Sequence, residues 1–491
     1  MRKSGILLHI SSLPSPYGIG TMGKEAFDFV DFLVECHQKY WQILPVVPTG
    51  FGDSPYQSFS IFAGNPYFID LDILNEEGLL SDSDYKDLDW YDNKRYVNYG
   101  KIYDNIFNVL KIASNNFKKD IPDDYLEFIN KNKFWLDDYA LFMALKFENG
   151  GRPWIEWSDE LVRRDEKALE DAQTRLKDEI EMWKFMQFKF FEQWLGLKEY
   201  ANKNGIEIVG DIPIYVAYDS VEVWCEPELY LLDEDLNPIE VAGCPPDCFT
   251  PLGQLWGNPL YNWDRMKKDN YSWWVERIKF ATTIYDVVRI DHFRGFEGYY
   301  AIPYSHETAE HGEWRDGPGI DLFNEVEKKL GKTKIIAEDL GFITEPVEKL
   351  LEQTGFPGMK VLQFAFDPNA DSVYLPQNYK DSNCVVYTGT HDSETITGWV
   401  KSATKEEIKF AMDYLDVKSK KNLPWAIIRL AWSSTADTAI AQMQDFLGLG
   451  SKARMNIPST VGQNWRWRAL KSDFSPGLAH KIKKLTKLCR R

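Results

Sequence analysis

The sequence predicts an α/β protein folded as a closed (β/α)8 barrel, and three observations carry that prediction. Eight short apolar runs recur along the chain, rich in Val, Ile or Leu as strands buried on both faces are. Amphipathic stretches of helical length lie between many of them, and repeated strand–helix alternation builds parallel sheets. Several runs end in charged residues, at the strand ends where barrels carry function.

The runs are residues 5–14 (GILLHISSLP), 40–48 (YWQILPVVP), 206–213 (IEIVGDIP), 286–291 (DVVRID), 334–341 (KIIAEDLG), 359–366 (MKVLQFAF), 384–392 (CVVYTGTHD) and, the shortest, 453–458 (ARMNIP). Helical patterns cover 24–35 (KEAFDFVDFLVE) after the first run, 272–283 before the fourth, 323–330 before the fifth and 345–353 (EPVEKLLEQ) after it. The spacing is uneven, with residues 49–205 separating the second run from the third. That gap contains a mixed-charge helical stretch over 158–184 and an aromatic one over 183–194. The expected organisation is one catalytic barrel over 1–491. Mainly helical insertions occupy its βα loops, with 51–200 an inserted subdomain between strands 2 and 3. After Trp467 only residues 468–491 remain, too few for a C-terminal β-domain.

Composition narrows the function classes. The 57 Lys and Arg stand against 75 Asp and Glu, a net charge of -18, which argues against nucleic acid, whose binding needs clustered cations. Aromatics make up 15% of the chain, with 18 Trp; they suit the apolar faces of sugar rings as well as an ordinary core. Six cysteines are scattered at 36, 225, 244, 248, 384 and 489, which is no disulfide framework in a chain this long. Cys244 and Cys248 form a C-x3-C with no second pair at zinc-site spacing. Neither a membrane span nor a leader with an adequate apolar region is visible, so a cytoplasmic protein is expected. Neither a Rossmann fingerprint nor a P-loop stands where it would function, and no cofactor is expected.

Three runs end in carboxylates: Asp291, Glu338 and Asp392. Two carboxyls flanking a glycosidic bond suffice for its chemistry, one protonating the leaving oxygen and the other attacking carbon or activating water. Arg289 lies two residues before Asp291 on one face of an extended strand; its guanidinium is expected to lower that carboxyl's pKa and keep it ionised. A purely structural Arg–Asp pair fits the same triplet. Glu338 follows Ile335, Ile336 and Ala337, an apolar setting that raises a carboxyl pKa toward that of a proton donor. It equally fits a cap on the following turn. Asp392, beside His391, suits either sugar-hydroxyl contacts or a helix cap. His292 and His391 with these acids lack any recognised metal-ligand spacing. Two Gly/Pro/aromatic segments, 50–70 and 243–261, are too irregular for helix and too aromatic for ordinary loops. They line a groove or pack as Ω-loops.

Taken in order, the strings LLHISSLPSPYGIG, YWQILPVVPTGFGDSPYQSFSIFAGNPYFIDL, GDIPIYVAYDS, PPDCFTPLGQLWGNPLY, VVRIDHFRGF, IIAEDLG, GMKVLQFAF, TGTHDSET and NWRWR resemble the 4-α-glucanotransferases called amylomaltases or disproportionating enzymes, the family 77 glycoside hydrolases. The resemblance spans essentially the whole chain. It implies a catalytic (β/α)8 barrel with Asp291 as nucleophile, Glu338 as general acid/base and Asp392 as transition-state stabiliser. Arg289, His391 and Asp211 match companions at the same sugar. Ser54 and Tyr56 match the donor groove, and Trp256 and Asn258 match an active-site loop, 243–261, that closes over the acceptor. Asn456 matches a further substrate contact. Phe51 stands where the family has a tyrosine.

The reaction implied is retaining transfer of an α-1,4-glucan segment from a maltooligosaccharide donor to the 4-hydroxyl of an acceptor glucan or glucose, without metal or cofactor, by a monomer or weak homo-oligomer. An amylase-type hydrolase with the same three acids and a non-catalytic glucan-binding protein are the alternatives.

Overall fold

The computed structural model describes residues 2–246, 250–341 and 343–491. Twelve strands are present among them: β1 (Lys3–Leu7), β2 (Tyr40–Gln42), β3 (Glu207–Ile212), β4 (Glu240–Cys244), β5 (Gln254–Pro259), β6 (Val287–Ile290), β7 (Gly298–Pro303), β8 (Glu313–Asp316), β9 (Ile335–Ala337), β10 (Gly358–Val361), β11 (Cys384–Tyr387) and β12 (Thr438–Gln442). Eight of them form a parallel sheet in the order β10-β11-β12-β1-β2-β3-β6-β9. The Ala337 N–H donates to the Pro357 carbonyl at 3.0 Å, bringing the two edge strands together and all but closing the barrel. The strands are short and almost wholly buried, because helices cover their outer faces.

The first helix, Lys24–Glu35, shows how pattern becomes packing. It buries Ala26, Phe29, Val30, Phe32 and Leu33, the stripe a 3.6-residue period produces. Each large side chain so buried contributes about 1.5–3 kcal/mol. The 27-residue helix Lys177–Lys203 is buried around much of its girth, at Trp183, Phe185, Met186, Phe188, Phe190, Phe191 and Trp194 among others. It lies between the barrel and the inserted helices Tyr99–Phe117 and Asp123–Glu148, so it has little solvent face to make polar. The mixed-charge stretch read as one helix breaks into Asp159–Val162, Glu166–Arg175 and the start of that long helix. Seven of the tryptophans, Trp41, Trp154, Trp183, Trp194, Trp224, Trp274 and Trp432, are among the largest fully buried side chains, so much of the aromatic content is core.

One expectation is corrected. The eighth barrel strand is Thr438–Gln442, not residues 453–458. Its sequence, TAIAQ, contains two Ala, a residue of weak strand preference, and tertiary burial overrides that local preference. Residues 453–458 instead leave a 3-10 turn, Ser451–Ala453, as a loop that runs back to the segment after β11, where Asn456 N–H bonds the His391 carbonyl at 3.1 Å. The insertions are mainly helical, as expected, but include one sheet. β5-β4-β7-β8 form a separate antiparallel sheet beside the barrel, and segment 243–261 is largely its β4–β5 hairpin. Cys248 of the C-x3-C lies outside the described residues. No helix among the described residues is long and apolar enough to cross a membrane.

Candidate active site

The site begins with register. Asp211 on β3 pairs directly with Arg289 on β6, and Arg289 with Ile336 on β9. Adjacent registered positions turn both side chains into the barrel. Arg289 Nη1 lies 2.5 Å from Asp211 Oδ2 and its Nη2 lies 2.9 Å from Asp291 Oδ1, as the two-residue spacing predicts. The Tyr56 hydroxyl donates to the same Asp211 oxygen at 2.9 Å. Gly210 keeps this wall in place: a Cβ there would come within 2.1 Å of the Tyr285 ring, so any side chain would displace the strand that carries Asp211.

Past β6 the chain turns through His292 in the left-handed region, φ 52°, a conformation that costs roughly 1–2 kcal/mol for an L-residue. At that turn His292 N–H donates to Glu338 Oε2 at 2.6 Å, and Leu340 N–H donates to Glu338 Oε1 at 2.9 Å. The capping reading of Glu338 is thus partly realised, in the turn that follows β9. Burial, then the charge of Asp291, raises the Glu338 pKa well above the carboxylate range, against Arg289 and the two N–H donors.

Asp291 departs from the sequence reading. Arg289 does lower its pKa, but burial and the Asp211 carboxylate outweigh that effect, and the net shift is upward. The guanidinium is shared between two acids. Asp392 goes the other way. Burial pushes it up, yet His391, whose Nε2 is 3.2 Å from Asp392 Oδ2, and the Asn456 amide, 2.6 Å from Oδ1, hold it down to about 2. His391 itself is disfavoured as a cation by burial, and the Asp392 charge raises its pKa regardless.

Eight of the eleven residues singled out from the sequence therefore share one cluster: Asp211, Arg289, Asp291, Glu338, His391, Asp392, Asn456 and Tyr56, whose ring stacks on His391 at 5.1 Å. The other three stand around it. Ser54 Oγ accepts from Tyr56 N–H at 3.2 Å, which shapes the loop rather than reaching the acids. Trp256, on β5, sets its ring edge-to-face with His292 at 4.8 Å. Asn258, also on β5, is buried and donates to the Val216 carbonyl at 2.7 Å.

Three residues were not singled out. Trp465 packs against both Tyr56 and His391. Arg454 bonds the main-chain carbonyls of Asp392 (2.6 Å) and Asn456 (2.7 Å). Gln57 reaches across to Trp256 and Asn258. Trp465 lies inside the quoted string NWRWR, Gln57 inside the second quoted string and Arg454 inside the run 453–458, and residue type alone did not set any of them apart. Among the described residues no three His, Cys, Asp or Glu side chains are placed to hold a metal.

The comparisons with known proteins agree with one another. The family model described as 4-alpha-glucanotransferase, glycoside hydrolase 77, matches residues 8–472. A 4-alpha-glucanotransferase of Clostridium butyricum is 50% identical over 98% of this chain and 99% of its own length. One from Streptococcus pneumoniae is 48% identical over 100% of this chain and 97% of its own. The amylomaltase of Streptococcus agalactiae, solved in complex with acarbose, superposes with a TM-score of 0.98 at 44% identity, covering 100% of both chains. On that match, with the barrel and its three strand-end carboxylates in place, the chain belongs to the 4-α-glucanotransferase family, glycoside hydrolase family 77.

Proposed function

We propose that this family member transfers α-1,4-glucan segments by a retaining double displacement in which Asp291 is the nucleophile, Glu338 the general acid/base and Asp392 the stabiliser of the developing positive charge. The observation that carries the assignment is the opposed environments of the three acids. Burial raises both Asp291 and Glu338, and the Asp291 charge raises Glu338 further. Near neutrality such a pair keeps one negative charge and one proton. Asp291 contacts Arg289 and keeps the charge; Glu338, raised further, keeps the proton. Asp392, held down to about 2, stays ionised throughout.

In the first step Asp291 attacks the anomeric carbon while Glu338 protonates the departing glucan oxygen, leaving a β-glycosyl ester. In the second, Glu338 takes the proton from an acceptor 4-hydroxyl as that oxygen displaces the carboxylate and restores the α-linkage. Retaining enzymes hold the two carboxyls about 5 Å apart. Arg289, His391, Asp211 and Asn456 fix the acids and the reacting sugar, and Ser54 and Tyr56 shape the donor side. Trp256 and Asn258 belong to the 243–261 segment, which covers the acceptor side. There a bound sugar supplies the effective concentration that water otherwise has by abundance. The whole chain, 1–491, works as one catalytic unit in this reading, with 51–200 as its inserted subdomain.

The test is incubation with maltotriose plus EDTA, with Asp291→Asn in parallel. A ladder of glucose and longer maltodextrins, absent from the variant, is expected. Glucose and maltose without a ladder would make the protein a hydrolase, and a ladder persisting in the variant would displace Asp291 as nucleophile.

A further inference from the structure

Gln57 joins the two sides of the site. Its Nε2 lies 3.0 Å from Asn258 Oδ1 and 3.3 Å from the Trp256 carbonyl. The orientation is fixed by chemistry. Asn258 Nδ2 donates to the Val216 carbonyl at 2.7 Å, so the oxygen of that amide faces Gln57. A carbonyl and an amide oxygen both need donors, and only the amide nitrogen of Gln57 supplies them. Both of its hydrogens are thus committed to the β4–β5 hairpin.

The preceding residue, Tyr56, reaches the opposite way, to Asp211 beside the Arg289–Asp291 pair. The backbone under both is pinned, with Gly50 N–H on the Gln57 carbonyl at 2.7 Å and a bridge between Thr49 and Ser58. Two consecutive side chains therefore tie one rigid segment to the donor wall and to the hairpin strand bearing Trp256. The Trp256 ring in turn meets His292, the residue after Asp291.

We propose that Gln57 is a positioning residue that sets the preference for transfer over hydrolysis by holding Trp256 and the β5 strand over the acceptor site. The proposal rests on the assignment of 243–261 to the acceptor side. The bonds of its side-chain amide to the Trp256 carbonyl and to Asn258 are both donated, so a group of the same shape that only accepts should release the hairpin.

The experiment uses the full-length protein, maltotriose as donor and glucose as varied acceptor. Disproportionation conserves reducing ends and hydrolysis creates them, so the two rates separate in one reaction. Gln57→Glu, nearly isosteric, places an ionised carboxylate against two oxygens at pH 7.5. The expected result is a fall of about tenfold in the ratio of transfer to hydrolysis and a higher KM for glucose, the scale of one to two neutral hydrogen bonds. The ratio should recover toward the unmodified protein as pH falls and the new carboxyl gains a proton to donate, whereas Gln57→Leu should lose the ratio at every pH. A merely structural role would lower Tm in both variants without this pH-dependent recovery. Ratios within twofold of the unmodified protein in both variants would overturn the proposal. Trp256→Ala separates the two layers. If it leaves the glucose KM unchanged, the acceptor-side assignment itself falls. If it raises that KM while Gln57→Glu does not, only the role of Gln57 falls.

Discussion

Asp291 and Asp392 each sit at the end of a barrel strand with a cationic neighbour, yet their environments act in opposite senses. Asp291 has Arg289 at 2.9 Å and is still raised; Asp392 has His391 at 3.2 Å and is lowered to about 2. The difference lies in how the cation is shared. Arg289 also serves Asp211, whose negative charge works against ionising Asp291. Asp392 holds its imidazole in direct contact, gains a second donor from Asn456 and is lowered by Arg289 as well. A cation beside a carboxylate does not decide its charge; the count of acids and donors around it does.

The largest effect that tests this contrast is at Asp291 itself. Asp291→Asn keeps the shape and a contact for Arg289 but removes the proposed attacking oxygen, and kcat should fall about 10⁶-fold, the scale of deleting a nucleophile, with Tm little changed. Wild-type-like kcat there would break the comparison outright. Next is Asn456→Ala. It strips Asp392 of one charge-assisted hydrogen bond, worth about 1.5–3 kcal/mol, so kcat/KM should fall about 10- to 100-fold in initial-rate assays, with Asp392 titrating at higher pH than before.

Asp211→Asn probes the sharing directly. The Asp211 charge raises the Asp291 pKa. Its removal lowers that pKa, and because the proposed nucleophile acts in its ionised form, the acidic limb of the kcat/KM–pH profile should move to lower pH. The basic limb, set by loss of the proton on Glu338, should move less. An acidic limb moving upward would show that Arg289 is not divided between the two acids.

The smallest effect extends the comparison to a carboxylate with neutral donors alone. Asp445, buried near the Asp392 strand, accepts from Thr388 Oγ1 and Ile396 N–H at 2.7 and 2.8 Å, and burial raises it to about 7 despite them. A raised acid holds its proton when folded and loses it when unfolded, so its stabilising share is complete below the unfolded pKa of about 3.9 and is lost as pH rises toward 7. The Tm of Asp445→Asn, measured against the unmodified protein, should therefore improve from pH 4 to pH 7. A constant difference would mean Asp445 does not titrate as its surroundings require.

Much of this site was legible in sequence because its groups are tied to strand ends. Asp291, Glu338 and Asp392 each follow an apolar run, and the two-residue period put Arg289 on the face of Asp291. The eighth strand was misplaced because Thr438–Gln442 contains two alanines, and only burial between β11 and β1 makes it a strand. The β4–β5 hairpin was hidden by the Pro and Gly content of 243–261, which reads as loop until β7 pairs with β4. Arg454 and Gln57 lay inside quoted segments without standing out there, since Arg454 reaches Asp392 and Gln57 reaches Trp256 and Asn258 only across the fold.

The sequence by itself determined the alternation that makes a barrel, the strand ends where the acids stand, and the ordered strings that identify the family. Those depend on local periodicity and residue type. Tertiary structure alone decided which acids are charged. Burial, the division of Arg289 between Asp211 and Asp291, and the amide that Asn456 brings to Asp392 arise only when segments far apart in the chain meet inside one low-dielectric cavity. A pKa is a property of that meeting and not of any residue.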